Sequence, residues 1–504
     1  MNKVVTLEKL KNICHLSTKA NKTIGLCHGV FDLMHIGHIK YLEEAKKMCD
    51  VLVVTITEDK NVNKGPGRPY FNQKDRAQSI AGLACVNFVA INAWKTAKPT
   101  IKYLKPNFYI KGPDYNHIAK DPTENLLEEQ RAIKSIGGEF VTTNTELSSS
   151  SKIINSHFET SKEIRDFRKR AKKKIQTDPK EIFDSFKNLK VLIVGESIID
   201  KYIFCQTIGK AGKDPFLVSK KIRDEVYLGG ALAGAKNLCD FVKEVKILSY
   251  LGENNEELQV VREGLSSKIK SEFIKKINSP TIIKNRFIDE YSNTKINGIY
   301  EINNELLEKK NENEFIKKLE RNIKKYDIVI AMDFGHGLFT DKIARYISKN
   351  AKFLAVNIQQ NSFNHGYYNI EKFQRADLFT LHEGEIRQHY RDKKSSTDSL
   401  INKLSSSLNY KNIIVTQGNK GSLIKGKNIT KSIHCPALAK NIVDRVGSGD
   451  ALLAISALSI FRGLTEEFTL LCGAIAASSV IEHHANSYNL NKSDLSNSVH
   501  SFLK

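Results

Sequence analysis

No stretch of the 504-residue chain reaches the roughly 18 consecutive apolar residues that a membrane span needs, so no spanning segment is expected. The opening MNKVVTLEKLKNICHLSTKANK is broken by lysine every few positions and does not read as an export signal. Cysteine is sparse: there are eight, none in the two-residue spacing of a zinc or redox site, and Cys85, Cys239 and Cys472 fall inside apolar runs. Reduced, mostly buried thiols in a cytoplasmic protein are the expectation. No internal repeat is found, and no low-complexity tract beyond the serines at 148–151. No nucleic-acid-binding module is recognisable either. The formal charge of +22 comes with lysine spread along the whole chain, which suits small phosphorylated substrates better than nucleic acid.

What is present is the composition of a globular protein, 40% hydrophobic and 27% charged, in a chain long enough for about two to four domains. From Thr23 to about Val141, short apolar runs (TIGLCHGV, DVLVVTI, VNFVAI, NFYIKG) alternate with amphipathic segments. That is the rhythm of a parallel sheet with crossover helices. Between about 156 and 187 the chain turns highly charged, as in KEIRDFRKRAKKK, and reads as a linker helix with a solvated basic face. A second alternation starts at KVLIVGESIIDKYIF and closes with VDRVGSGDALLAISALSIFRGL and FTLLCGAIAASSVIEHH. The expected architecture is therefore α/β in two domains, residues 1–155 and 188–504, joined by 156–187.

The first chemical constellation is His35-Ile36-Gly37-His38, following a strand and opening an amphipathic helix. Unpaired backbone N–H groups in a first turn attract an anion, and Gly37 allows a phosphate to come close. Two imidazoles can donate hydrogen bonds to oxygens that gain charge at a five-coordinate phosphorus, with no protein nucleophile required. The plain alternative is that the histidines only punctuate the helix start. The stretches GVFDLMHIGHIKYLEEAK, GPGRPYFNQKDRAQSIAGL, PNFYIKGPDY and ELSSSSKII resemble the motif series of the cytidylyltransferase-like nucleotidyltransferases. The likeness extends to the adenylyltransferase half of the bifunctional heptose-phosphate kinase and heptose-1-phosphate adenylyltransferase family. It implies that His35 and His38 stabilise the transition state and that Phe31 and Asp32 sit in the nucleotide-binding loop. It also implies nucleotide or phosphate contacts for Lys46, for Arg76 (with Asp75 in place of a glutamine), for Lys111 and Asp114, and for Ser149, Ser150 and Ser151.

The second constellation is Gly447-Ser448-Gly449-Asp450, between an apolar run and a helix. Glycines at a helix start expose N–H groups to a transferring phosphoryl, and an acid just inside can accept a hydroxyl proton. Together with GESIIDKY and YLGGALAGAKN, the segment resembles the ribokinase-like (PfkB) sugar kinases, whose fold is an α/β/α layer structure with a small β lid. The resemblance makes Asp450 the catalytic base and Gly447, Ser448 and Gly449 the anion hole. Asp200, Gly229 and Gly230 would face the sugar, while Thr416, Gly418 and Gly421 in VTQGNKG would approach ATP, and Glu385 would act on the magnesium shell. Three positions depart from the pattern: Ala233 stands for a sugar-binding asparagine, VNIQQ ending at Gln360 replaces Asp-Pro-Lys, and His382 replaces an asparagine ahead of Glu385.

These readings combine into a bifunctional enzyme of nucleotide-sugar synthesis, a Rossmann-like nucleotidyltransferase followed by a ribokinase-like kinase, the reverse of the order in the family it resembles. ATP, or CTP in the transferase, and Mg²⁺ are the expected co-substrate and cofactor, and a homodimer is expected. Two alternatives stay open. One is a cytidylyltransferase for glycerol phosphate or another polyol phosphate, and the other is an active transferase carrying a non-catalytic kinase-like domain.

Overall fold

A computed structural model of the chain describes residues 3–504 apart from 66, 113–124, 144–160, 255–256, 366, 368, 427–430 and 440. It comprises two compact units, Met1–Arg165 with Ser493–Lys504, and Asp166–Lys492. Both are α/β.

The first unit is built on five parallel strands, β1 (Ile24–Gly29), β2 (Val51–Thr57), β3 (Phe88–Asn92), β4 (Phe108–Lys111) and β5 (Glu139–Thr142), in the order β3-β2-β1-β4-β5. Strand alternation sends Leu52, Val54 and Ile56 into one core with Cys27 and Ile110, and Val51 and Val53 into another with Leu26 and Tyr109. Both faces are thereby covered, as an all-parallel sheet requires. The connection order reverses between β1 and β4, and such a reversal leaves a crevice at the carboxyl ends of the two strands. Residues 30–38 and Lys111 continue from those ends.

Residues 493–504, expected with the second domain, belong to the first unit. Asp494 accepts from Asn63 at 3.3 Å and from Lys95 at 2.9 Å, and a Cβ on Gly65 would lie 3.6 Å from the Ser498 carbonyl. The charged connector is helical over Lys162–Lys174 and again over Pro179–Asp184. Phe167, Arg168 and Ala171 form its buried stripe, and most of its remaining cations face solvent.

In the second unit the strands are β6 (Lys190–Gly195), β7 (Ser197–Lys210), β8 (Leu217–Gly230), β9 (Glu244–Gly252), β10 (Ile269–Lys276), β11 (Ile282–Asp289), β12 (Lys295–Glu301), β13 (Ile328–Asp333) and β14 (Phe353–Ile358), then β15 (Arg375–Ala376), β16 (Leu378–His382), β17 (Asn409–Tyr410), β18 (Asn412–Thr416), β19 (Ser422–Gly426) and β20 (Ile433–Cys435). Nine of them form the sheet β10-β9-β6-β13-β14-β16-β18-β19-β20, which is parallel as far as β18 and antiparallel beyond it. A separate four-stranded sheet, β12-β11-β7-β8, is the lid. The Ser448–Phe461 and Glu466–Ile481 helices are apolar on nearly every side and almost wholly buried against this unit. No described helix is long and apolar enough to cross a membrane.

Candidate functional site

The loop after β1 is shaped by a left-handed residue: Phe31 has φ +48, and its ring lies against Gly29, where a Cβ would come within 3.1 Å of it. A bulky side chain at positive φ is strained, and such strain gathers at functional loops. The chain then enters the Ile36–Lys47 helix. His35 is its N-cap, and Nδ1 accepts the Gly37 N–H at 3.1 Å. With Nδ1 an acceptor, the neutral ring carries its proton on Nε2. The rings of His35 and His38 lie side by side, centroids 4.0 Å apart, with Phe31 edge-on to His38 at 5.5 Å. Burial lowers both pKa values; His38 falls to about 3, with His35 and Lys64 adding to the effect. Both imidazoles are therefore neutral at pH 7.

The other sequence-derived positions of this unit separate into two groups. Lys111 stands at the carboxyl end of β4 beside β1: it donates to the His28 carbonyl at 3.4 Å and pairs with Glu129 at 3.4 Å. Asp32 and Arg76 brace the crevice from beneath. Asp32, 3% exposed, accepts from Arg68 (2.8 Å) and from the Tyr70 (2.6 Å) and Phe71 (3.1 Å) N–H groups. Arg76, 1% exposed, donates to the Phe71, Val30 and Thr57 carbonyls and to Asp59. Lys46 is not brought to the histidines. It sits at the far end of the helix, about 12 Å along the axis from His38, bonded to the Asp50 carbonyl and to Asn87. Asp114, Ser149, Ser150 and Ser151 lie outside the described residues.

Sequence reasoning missed two groups here. His28, at the end of β1, bonds Thr55 at 2.9 Å and Thr57 at 3.4 Å, and burial together with Lys111 holds its pKa down at about 3. Lys64 stands within electrostatic reach of His38 and Asp32, and burial lowers it to about 8. The signal was in NKGPGRP, a lysine beside glycines directly ahead of Arg68.

In the second unit Gly447 caps the Ser448–Phe461 helix at φ +83, with Asn486 so close that a Cβ would fall 2.0 Å from its Oδ1. Only glycine fits this turn. Gly449 faces open space, Ser448 Oγ donates to the Arg445 carbonyl at 3.0 Å, and Asp450 is the third residue of the helix. The Asp450 carboxyl is pushed up to about 7 by burial and by Asp200, with Lys284 opposing. Asp200, 2% exposed on β7, pairs with Arg286 on β11 and stands beside Lys284 in the strand register. Gly229 is small because a Cβ there would meet Asp200 Oδ2 at 2.5 Å, and Gly230, at φ +59, would strike the Glu196 carbonyl at 2.4 Å. Ala233 is buried in the first turn of the Ala231–Leu238 helix that follows.

Glu196 receives the N–H groups of Phe334 (2.9 Å), His336 (3.2 Å) and Leu338 (3.3 Å) and so fixes His336. That imidazole is fully buried, bonds Asn304 through Nδ1 at 2.7 Å, and has no partner for Nε2 among the described residues. Lys284 and Lys276 lie within electrostatic reach of it. Lys284, Arg286 and His336 were not anticipated, since nothing in their spacing joins β11 to the loop after β13. Toward the other edge, Thr416 ends β18. Gly418 has φ +59 in open space, and Gly421, at φ +100, would collide with the Cys435 carbonyl. Glu385, 8% exposed, accepts the Gln360 N–H at 2.8 Å and the His382 N–H at 2.6 Å in a capping box completed by His382 Nδ1. The structure therefore gives Glu385 a helix-capping role. No set of three His, Cys, Asp or Glu side chains among the described residues is placed to hold a metal ion.

Residues 26–156 match the cytidylyltransferase-like family and residues 188–492 match the pfkB family of carbohydrate kinases. The second match covers more than half of the chain, which belongs to the pfkB carbohydrate kinase family. Among curated proteins, the chain is 31% identical over 146 residues to the bifunctional protein HldE of Syntrophotalea carbinolica, 28% of this chain and 30% of that protein. It is 37% identical over 145 residues to HldE of Aliarcobacter butzleri, with the same shares. The chain thus spans less than a third of the length of these relatives. Among solved structures, a phosphofructokinase-2 mutant from Escherichia coli aligns with TM-score 0.52 and 11% identity, covering 63% of this chain and all of that one. The fructose-6-phosphate complex of the same enzyme gives 0.51 and 11% over the same shares. These likenesses establish the fold of the second unit.

Proposed function

We propose that the chain is a bifunctional enzyme that phosphorylates a sugar phosphate and transfers a nucleotidyl group to a sugar 1-phosphate, giving an ADP-heptose-like activated sugar for surface polysaccharide. The observation that carries this reading is the pair of neutral imidazoles at a helix N-terminus and a sheet switch point. The phosphate oxygen of the sugar 1-phosphate attacks the α-phosphorus of the nucleoside triphosphate, the bond to the β-phosphate breaks, and pyrophosphate leaves. The His35 Nε2–H and the His38 ring are donors for the oxygens that gain charge. Lys64 and Lys111 supply positive charge around the departing pyrophosphate.

In the second unit Asp450 takes the acceptor hydroxyl's proton as the oxygen attacks the γ-phosphorus, and the N–H groups of the Gly447–Asp450 turn receive the moving phosphoryl. Lys284 and Arg286 place two cationic side chains beside the single carboxylate of Asp200, which supports an acceptor that already carries a phosphate, and the neutral His336 ring adds hydrogen-bonding capacity without charge. Among the described residues no side-chain set is placed to hold Mg²⁺, which would supply charge neutralisation to the triphosphate as a hard, strongly hydrated ion. A homodimeric, cytoplasmic enzyme completes the reading.

The test gives the full chain ATP or CTP with heptose 1-phosphate or glycerol 3-phosphate and measures pyrophosphate. It then measures ADP release from ATP with glucose, mannose, fructose 6-phosphate and sedoheptulose 7-phosphate. Pyrophosphate only from CTP and glycerol 3-phosphate would replace the heptose reading with a polyol-phosphate cytidylyltransferase. A second reading, an active transferase with a non-catalytic kinase-like unit, is favoured by Ala233 and by Glu385's role in capping. Acceptor-dependent ADP release abolished by Asp450→Asn excludes it.

A further inference from the structure

The lid sheet meets the anion-hole turn at a single carboxylate. Asp444 is 5% exposed and both of its oxygens are filled. Oδ1 accepts from Lys295 Nζ at 2.7 Å and the Val446 N–H at 3.2 Å; Oδ2 accepts from the Tyr202 hydroxyl at 2.5 Å and the Ala485 N–H at 3.1 Å. Two of these donors belong to the lid, since Tyr202 lies in β7 and Lys295 opens β12. The other two belong to the segments that shape the turn. Val446 precedes Gly447, and Ala485, itself at φ +48, precedes the Asn486 that packs on Gly447.

From Tyr202 the connection continues into the face that holds Asp200. Side chains two apart on a strand share a face, and the Arg286 guanidinium that pairs with Asp200 lies 5.7 Å from the Tyr202 ring centroid. Tyr227 meets that ring edge-on at 5.5 Å, and Lys295 Nζ is 5.6 Å from its centroid. An ion pair on a buried carboxylate is a poor way merely to pin a sheet down, because an apolar contact of the same size does it as well. What the pair adds is conditionality: with the lid displaced, Asp444 loses its two strongest donors while still held by Val446 and Ala485, and an unpaired buried carboxylate is strongly unfavourable.

We propose that Asp444 is a positioning residue that makes the Gly447–Asp450 turn competent only when the acceptor-carrying lid is seated, through Tyr202 and Lys295. The inference rests on the kinase reading above and adds to it a device that couples ATP use to acceptor binding.

The test uses the full chain with Lys295→Met, Tyr202→Phe, Lys295→Arg and, as a control on the same sheet, Lys221→Met, which removes only an exposed pair with Asp224. ADP release is followed with and without the best acceptor of the panel above. Lys295→Met and Tyr202→Phe are expected to lower acceptor-dependent kcat by about tenfold or more and to raise the ratio of acceptor-independent to acceptor-dependent ADP release by a similar factor. KM for ATP should stay within about twofold. Lys295→Arg restores the ratio, and Lys221→Met leaves it at the wild-type value. The Lys295 side chain is 41% exposed, so its truncation opens no core cavity, and a Tm recorded for each variant separates lost stability from lost coupling. If both variants keep the wild-type ratio, whether or not their Tm falls, the inference is overturned. If the wild-type chain releases no ADP with any acceptor, the kinase reading fails by itself. The coupling is then read by hydrogen exchange, where the Val446 and Ala485 amides must exchange faster in Lys295→Met than in wild type, and unchanged rates dispose of it.

Discussion

His35 uses its two nitrogens for two purposes, and substitution can separate them. Nδ1 closes the helix N-terminus, while Nε2 is left with the proton. Asparagine is a good N-cap and alanine is a poor one, by about 1 kcal/mol. His35→Asn should therefore keep Tm close to wild type while pyrophosphate release falls about 10²- to 10³-fold, and His35→Ala should lose both. Because burial lowers both imidazoles, His38 to about 3, any acid limb they give to kcat/KM for the nucleotide should lie below the ordinary histidine value. A limb near the ordinary histidine value would contradict the geometry. Asp450 behaves in the opposite sense. As the proposed base, with its carboxyl pushed up to about 7, it should give a kinase activity that rises through neutral pH. Asp200→Asn, which removes a like charge, moves that limb to lower pH, and Lys284→Met moves it higher. The stability linkage has a definite sign as well. A carboxyl raised on folding binds its proton more tightly in the folded state, so stability is lost as pH climbs from the unfolded value toward 7 and is flat above it. Asp450→Asn should accordingly raise Tm at pH 8 while removing ADP release.

The helix starts show which parts of the sites were legible in the sequence. His-x-Gly-His and Gly-Ser-Gly-Asp could be found because each is contiguous and sits at a strand-to-helix junction, where physical chemistry already demands an anion site. Lys46 was given a phosphate role although the helical rise alone carries it a full two turns away from His38. Asp32 and Arg76 were recognisable by position but not by what they do, because their partners include backbone groups of residues 30, 57, 70 and 71, and no sequence pattern announces a carbonyl acceptor. The two glycines of the Gly447–Asp450 turn give a sharp contrast. Gly447→Ala forces a side chain into positive φ and against Asn486, so Tm and kinase activity should both fall, with a destabilisation of about 1–3 kcal/mol. Gly449→Ala meets only open space and gains helix propensity, so Tm should hold or rise slightly. Urea melts of the two variants decide the matter.

Across the molecule, strand alternation was enough to anticipate two α/β domains, because buried parallel strands read as near-continuous apolar runs such as VLVV and DIVIAM. The lid was harder to see. Much of β8 and all of β12 are exposed and polar in pattern, so nothing in them marks a sheet face that meets Asp200 and Asp444. Residues 493–504 carry no signal that they pack with a unit ending at Arg165. Deleting them should lower pyrophosphate release and the Tm of the first unit, since Asn63, Lys95 and Gly65 lose their partners there, while acceptor-dependent ADP release persists.

That assignment has a consequence for biosynthesis. A ribosome finishes the sheet of the first unit early, then must make about 330 further residues before the helix that covers the 63–65 loop emerges. At bacterial elongation speeds this delay is on the order of 15 to 60 seconds. Throughout that interval the 63–65 loop lacks its cover, so nascent chains are most vulnerable to proteases and in greatest need of chaperones before residues 493–504 arrive.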